Sequence, residues 1–135
     1  MNTVHNINQP KLGFEMEQAR IDIINLRLRT FIGFNPEELT KQQDIVINAQ
    51  IYYPAMSACE SDEESKALNY KTITKQMIAH VEDGHFKLLE KLTSDLLAIA
   101  MEPKIVSHAT VQVEKPHALR FADSVSLTLS AKRAL

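Results

Sequence analysis

The chain has 135 residues, a formal net charge of −2 and one cysteine, Cys59. That length suits a single domain, and a composition 44% hydrophobic and 24% charged is that of a folded chain rather than a disordered one. One cysteine excludes an internal disulfide and a thiolate-rich zinc site, and the near-neutral charge argues against nucleic-acid binding, which needs a basic face.

Residues 1–18 are polar and without period, and read as an N-terminal extension to a single domain over 19–135. Alternation then begins. Leu26, Leu28 and Ile32 share one face with Arg27, Arg29 and Phe31 opposite, which predicts a half-buried strand ended by Gly33. Asn35-Pro36 predicts a turn. A second strand over about 44–53 puts Ile45, Ile47, Ala49, Ile51 and Tyr53 on one face, and Pro54 stops it. The two are expected to pair antiparallel. An acidic, irregular link over 57–66 follows.

Ile73, Met77 and Val81 recur at helical spacing, with Ile78 widening the stripe and Gly84 as the stop. Leu89, Leu92, Leu96 and Ile99 predict a second helix over about 86–101, with Pro103 beyond it. Alternation returns over 108–114 and 124–130. The order β-β-α-α-β-β predicts an α+β layer, a four-stranded antiparallel sheet with both helices on one face. The other face is polar, and the sheet has two open edges. Proteins pair, cover or close such edges, so self-association is expected. No apolar run reaches the ~20 residues that span a bilayer. The first residues lack the basic and apolar regions of a secretory signal, which makes a soluble, cytoplasmic protein without a membrane partner the expectation.

Four polar residues fall at element boundaries, where side chains are presented to ligands: Glu38, Tyr70, Glu90 and Lys115. Spacing alone leaves each with an ordinary role. Glu38 reads equally as a solvated loop charge, Tyr70 as a core ring, Glu90 as a carboxylate near a helix N-terminus and Lys115 as a strand-end charge. The histidines lack metal-ligand spacing, and neither a phosphate-binding glycine loop nor a Gly-x-Ser-x-Gly elbow is present. Cys59 lies among carboxylates that oppose a thiolate.

The segments Leu26-Arg27-Leu28-Arg29-Thr30-Phe31-Ile32-Gly33, Gln43-Asp44-Ile45-Val46-Ile47-Asn48 and Ala67-Leu68-Asn69-Tyr70 carry a resemblance. So do Leu88-Leu89-Glu90-Lys91-Leu92-Thr93 and the run from Lys115-Pro116-His117-Ala118-Leu119-Arg120 to Val125. Together they resemble the dihydroneopterin aldolase family, over about residues 20–133. The likeness is greatest to its bacterial branch that epimerises the side chain of dihydroneopterin triphosphate. The resemblance implies the tunnelling fold, with sheets joined into a barrel and two tetrameric rings stacked as a homo-octamer with sites between subunits. It implies a pterin substrate and neither cofactor nor metal. By position, Lys115 takes the role of the general acid/base. Glu38 is its carboxylate partner from the facing subunit, and Tyr70 lines the reacting side chain.

On the same resemblance Glu90, with Leu89 beside it, is the pterin anchor, a role that suits a carboxylate able to accept two parallel N–H donors. A lysine acting as a base needs a lowered pKa, which burial or cationic neighbours such as His117 and Arg120 would supply. The triphosphate needs cations, for which Arg29, Arg120 and His117 are the candidates, with Arg27 and Lys71 also available. The turn Phe34-Asn35-Pro36 departs from the family's pattern and governs where Glu38 reaches. Two other readings share these residues: an aldolase releasing glycolaldehyde and 6-hydroxymethyl-dihydropterin in folate synthesis, and a non-catalytic oligomeric pterin-binding module.

Overall fold

The computed structural model describes residues 13–135, so most of the expected extension over 1–18 lies outside the described residues. The chain runs β1 (Ala19–Ile32), α1 (Pro36–Leu39), β2 (Gln43–Tyr53), α2 (Met56–Ser61), a 3-10 turn (Glu64–Lys66) and α3 (Tyr70–Glu82). It continues through β3 (His85–Phe86), α4 (Leu89–Met101), β4 (His108–Pro116) and β5 (Ser124–Lys132).

The sheet order is β3-β1-β2-β4-β5. The four long strands pair antiparallel, in registers that set Ile47 opposite Val113 and Val113 opposite Leu127. In β1 the apolar alternation changes phase, from Ile21 and Ile23 to Leu26 and Leu28. A bulge between Ile23 and Leu26 absorbs the extra residue, so that both pairs pack against the core. Asn25 sits there at φ 55, and its N–H donates to Asn48 Oδ1 at 2.8 Å. Asparagine adopts this left-handed conformation more readily than other side chains do.

α3 lays Ile73, Met77 and Val81, and α4 lays Leu92, Leu96 and Ala100, onto the face of Ile45, Ile47, Ile51, Val111 and Val113. Each helix buries one stripe at a 3.6-residue period, and each long strand buries alternate residues on the same side. Buried Thr30 turns its hydroxyl to Val81 O at 2.6 Å, which ties β1 to the end of α3.

Among the described residues the sheet has five strands and is mixed, not four-stranded and antiparallel as expected. The fifth is β3, whose His85 and Phe86 pair parallel with Phe31 and Ile32. Two residues are too few to show alternation, and Phe86, expected at the start of the following helix, lies in the strand instead, the helix beginning at Leu89. The link over 57–66, expected to be irregular, contains α2 and the 3-10 turn. Among the described residues no helix is long and apolar enough to cross a membrane.

Candidate active site

The site is built where β1 ends, β2 begins and β4 ends. Gly33 closes β1, and its N–H donates to Phe86 O at 2.8 Å, which fixes where the chain leaves the sheet. Asn35 and Pro36 then start α1, a single turn that carries Glu38 back toward the sheet. Asn35 N–H donates to Glu38 Oε1 at 3.3 Å. Gln43, the first residue of β2, donates through Nε2 to Ile32 O at 2.6 Å and to Glu38 Oε2 at 3.1 Å. The carboxylate is thus held from both sides of its loop.

Lys115 completes the arrangement from β4, with Nζ 3.0 Å from Glu38 Oε2. The side chains are only 12% and 18% exposed, so solvent screens this pair less than a surface ion pair. Burial pushes the Glu38 carboxyl up. The hydrogen bonds from Lys115, Gln43 and the Asn35 N–H outweigh that effect and hold it below the ordinary carboxylate range. The result is an ionised carboxylate fixed beside the lysine amine, which it orients at a defined point.

Gly33 has a second task. It adopts φ +130, and a Cβ added there would lie 2.2 Å from both Cδ and Oε1 of Glu38. Only glycine leaves room for the carboxylate in this position. Gln43 and Gly33 were not among the residues singled out in the sequence. Gly33 reads in the sequence as a strand end and Gln43 as a strand residue, and no periodicity links either to Glu38, because their contacts form only when the turn folds.

The pair is formed within a single chain, which corrects the expectation that Glu38 reaches Lys115 from a facing subunit. The capping turn of α1 folds Glu38 back onto its own sheet. Tyr70 and Glu90 are not brought to the pair, and among the described residues neither side chain makes a hydrogen bond, ion pair or ring contact. Tyr70 opens α3 and is 51% exposed. Glu90 is an exposed residue in the first turn of α4, where the helix N-terminus favours a carboxylate, and the neighbouring Leu89 packs against the core.

Arg29 ion-pairs with Asp44 at 2.6 Å. His117 turns the chain after β4 at φ 64, and the Arg120 guanidinium lies 5.4 Å from the centre of the Phe121 ring. Among the described residues no three His, Cys, Asp or Glu side chains gather in a way that would hold a metal ion.

A family profile described as dihydroneopterin aldolase matches residues 21–130. The chain is 57% identical over 115 residues to a dihydroneopterin triphosphate 2′-epimerase of Escherichia coli, covering 85% of this chain and 96% of that one. It is 52% identical over 119 residues to the protein of that name from Pseudomonas aeruginosa, covering 88% and 97%. The solved structure of E. coli dihydroneopterin aldolase in complex with neopterin superposes with a TM-score of 0.79 at 23% identity, covering 84% of this chain and 98% of the other.

Proposed function

From the premise that the chain belongs to the dihydroneopterin aldolase family, we propose that it inverts C2′ in the side chain of 7,8-dihydroneopterin triphosphate, giving 7,8-dihydromonapterin triphosphate. The observation that carries this reading is the pattern of identity. The chain shares 52–57% with epimerases over most of its length, against 23% with an aldolase that has the same fold.

In the proposed reaction Lys115 takes the proton of the 2′-hydroxyl. The C1′–C2′ bond breaks, its electrons pass into the dihydropterin C=N, and C2′ leaves as the aldehyde carbon of the triphosphate-bearing fragment. The fragment turns and C1′ adds to its opposite face, while the proton returns from Lys115 to the new alkoxide. Atoms and charge balance without a redox step. Glu38, 3.0 Å from Nζ, positions the amine and balances its charge when it carries the proton. Glu90 accepts the two parallel N–H donors of the pterin edge, Leu89 lies beside it, and Tyr70 lines the reacting side chain. Escape of the fragment before re-addition, with protonation at C1′, yields aldolase products from the same site.

Tyr70 and Glu90 stand apart from the Lys115–Glu38 pair, and among the described residues β5 ends the sheet with an unpaired edge. Both features support assembly of copies into rings, with an octamer as the proposed unit. Incubation with dihydroneopterin triphosphate, followed by chiral separation of the pterins, tests the reading. Monapterin configuration is expected; 6-hydroxymethyl-dihydropterin as main product would favour the aldolase, and bound but unchanged pterin the non-catalytic module.

A further inference from the structure

The corner that joins α3 to α4, with β3 inside it, grips the last residues of β1. Thr30 Oγ1 donates to Val81 O at 2.6 Å, and the Phe31 and His85 rings stack with centres 4.3 Å apart. Gly33 N–H donates to Phe86 O at 2.8 Å. This last contact bears on the site, because Gly33 lies against the Glu38 carboxylate and leads into the turn that carries it. A shift of the corner is therefore passed to Glu38.

The corner is itself held. Phe86 is buried, and its ring folds over Gly84 so closely that a Cβ there would lie 2.3 Å from Cε2. His80, in the last turn of α3, packs its ring on that of Phe86, with centres 5.4 Å apart and a tilt of 54°. The imidazole is fixed in turn by α4, where Nε2 meets Asp95 Oδ2 at 2.8 Å and Lys91 Nζ holds Oδ1 of the same carboxylate at 3.0 Å. Asp95 is ionised and only accepts, so Nε2 carries the proton of this bond. Among the described residues neither His80 nor Asp95 bonds to Lys115 or Glu38, so any effect on that pair passes through the corner.

Resting on the epimerase reading, we propose that His80, oriented by Asp95, is a positioning residue for the reaction: it seats Phe86, whose carbonyl sets Gly33 and with it the carboxylate that orients Lys115. A pin between two helices would be met by a lysine or a glutamine reaching Asp95. The imidazole does more, since it packs a flat ring on Phe86 while its nitrogen stays bonded to the carboxylate. A misplacement of 1 Å costs a catalytic group about 10²-fold in rate, so a modest slackening of the corner is measurable.

The test places His80→Ala in two backgrounds, wild type and Glu38→Ala. The His80 side chain is 39% exposed, so its loss spares the core. In the wild-type background kcat for dihydroneopterin triphosphate should fall about tenfold with KM unchanged. In the Glu38→Ala background it should fall no further, because the group being positioned is gone. The same fold loss in both backgrounds overturns the assignment.

Hydrogen–deuterium exchange read by mass spectrometry needs no turnover and separates this proposal from the reading beneath it. In His80→Ala the amides of residues 33–38 should exchange about tenfold faster than in wild type. Arg133→Gln, which removes bonds to Val106 O and Pro103 O beyond the other end of α4, controls for a general loss of stability and should leave those amides and kcat as they were. Faster exchange confined to His80→Ala supports the positioning role even if wild type epimerises nothing. Exchange equal to wild type, or raised as much by Arg133→Gln, rejects it even if epimerisation is observed.

Discussion

Lys115 Nζ and Glu38 Oε2 lie 3.0 Å apart in one chain, although 77 positions separate the residues in sequence. β4 and the turn after β1 meet because both flank β2, so the pair is a product of sheet topology and needs no second subunit.

This single-chain origin predicts the behaviour of mixed subunits. Lys115→Ala should lower kcat by about 10²–10⁴, the usual reach of general acid–base catalysis, while pterin still binds with comparable affinity. Glu38→Gln should lower kcat in the same sense. Subunits of the two variants, unfolded together and refolded as hybrids, should regain no activity, since no chain carries both groups. Recovery toward a quarter or more of wild-type activity would show that the working pair is formed between chains.

Gly33 is the second point of leverage. Gly33→Ala should cost about 1–3 kcal/mol in denaturant titration, because an L-residue is strained at φ +130 and its Cβ meets the Glu38 carboxylate. It should also lower kcat by displacing Glu38. Gly13→Ala, at φ +73 with nothing within 4 Å, is the control for conformation alone and should leave kcat unchanged. Equal effects of the two on kcat would remove the steric argument.

Asp95 gives a pH-dependent prediction away from the site. Burial pushes its carboxyl up, but Lys91 Nζ at 3.0 Å and His80 Nε2 at 2.8 Å outweigh that and hold it below the ordinary aspartate range. A pKa lower folded than unfolded gives stability that is present above the unfolded value and is lost as pH falls through the folded one. Asp95→Asn should therefore be less stable than wild type by about 1 kcal/mol at neutral pH. Chemical denaturation across the acid range should show that gap closing below the ordinary aspartate pKa. A gap that persists in strong acid would assign the effect to packing.

The long elements were legible because each buries one face. Ile45, Ile47, Ala49 and Ile51 alternate, and Ile73, Met77 and Val81 repeat at helical spacing, as burial against a shared core requires. The start of β1 was hidden by the bulge at Asn25, which shifts the phase of the pattern, and β3 by its length of two residues. Glu38 and Lys115 are marked in the sequence by their places at element boundaries, but their partnership is visible only through a family resemblance, since it depends on contacts across the sheet. Gln43 reads as an ordinary strand residue until its amide is seen to hold Glu38. Arg27 and Arg29 look alike in the strand pattern, and only the position of Asp44 separates them.

The central claim is that C2′ is inverted by breaking and remaking the C1′–C2′ bond. Dihydroneopterin triphosphate carrying deuterium at C2′ tests it most directly. In the proposed route that deuterium rides on the aldehyde carbon and never becomes acidic, so the monapterin-configured product, read by mass spectrometry and NMR, should retain it in full. An inverted product that has exchanged its C2′ deuterium for solvent hydrogen would contradict the account.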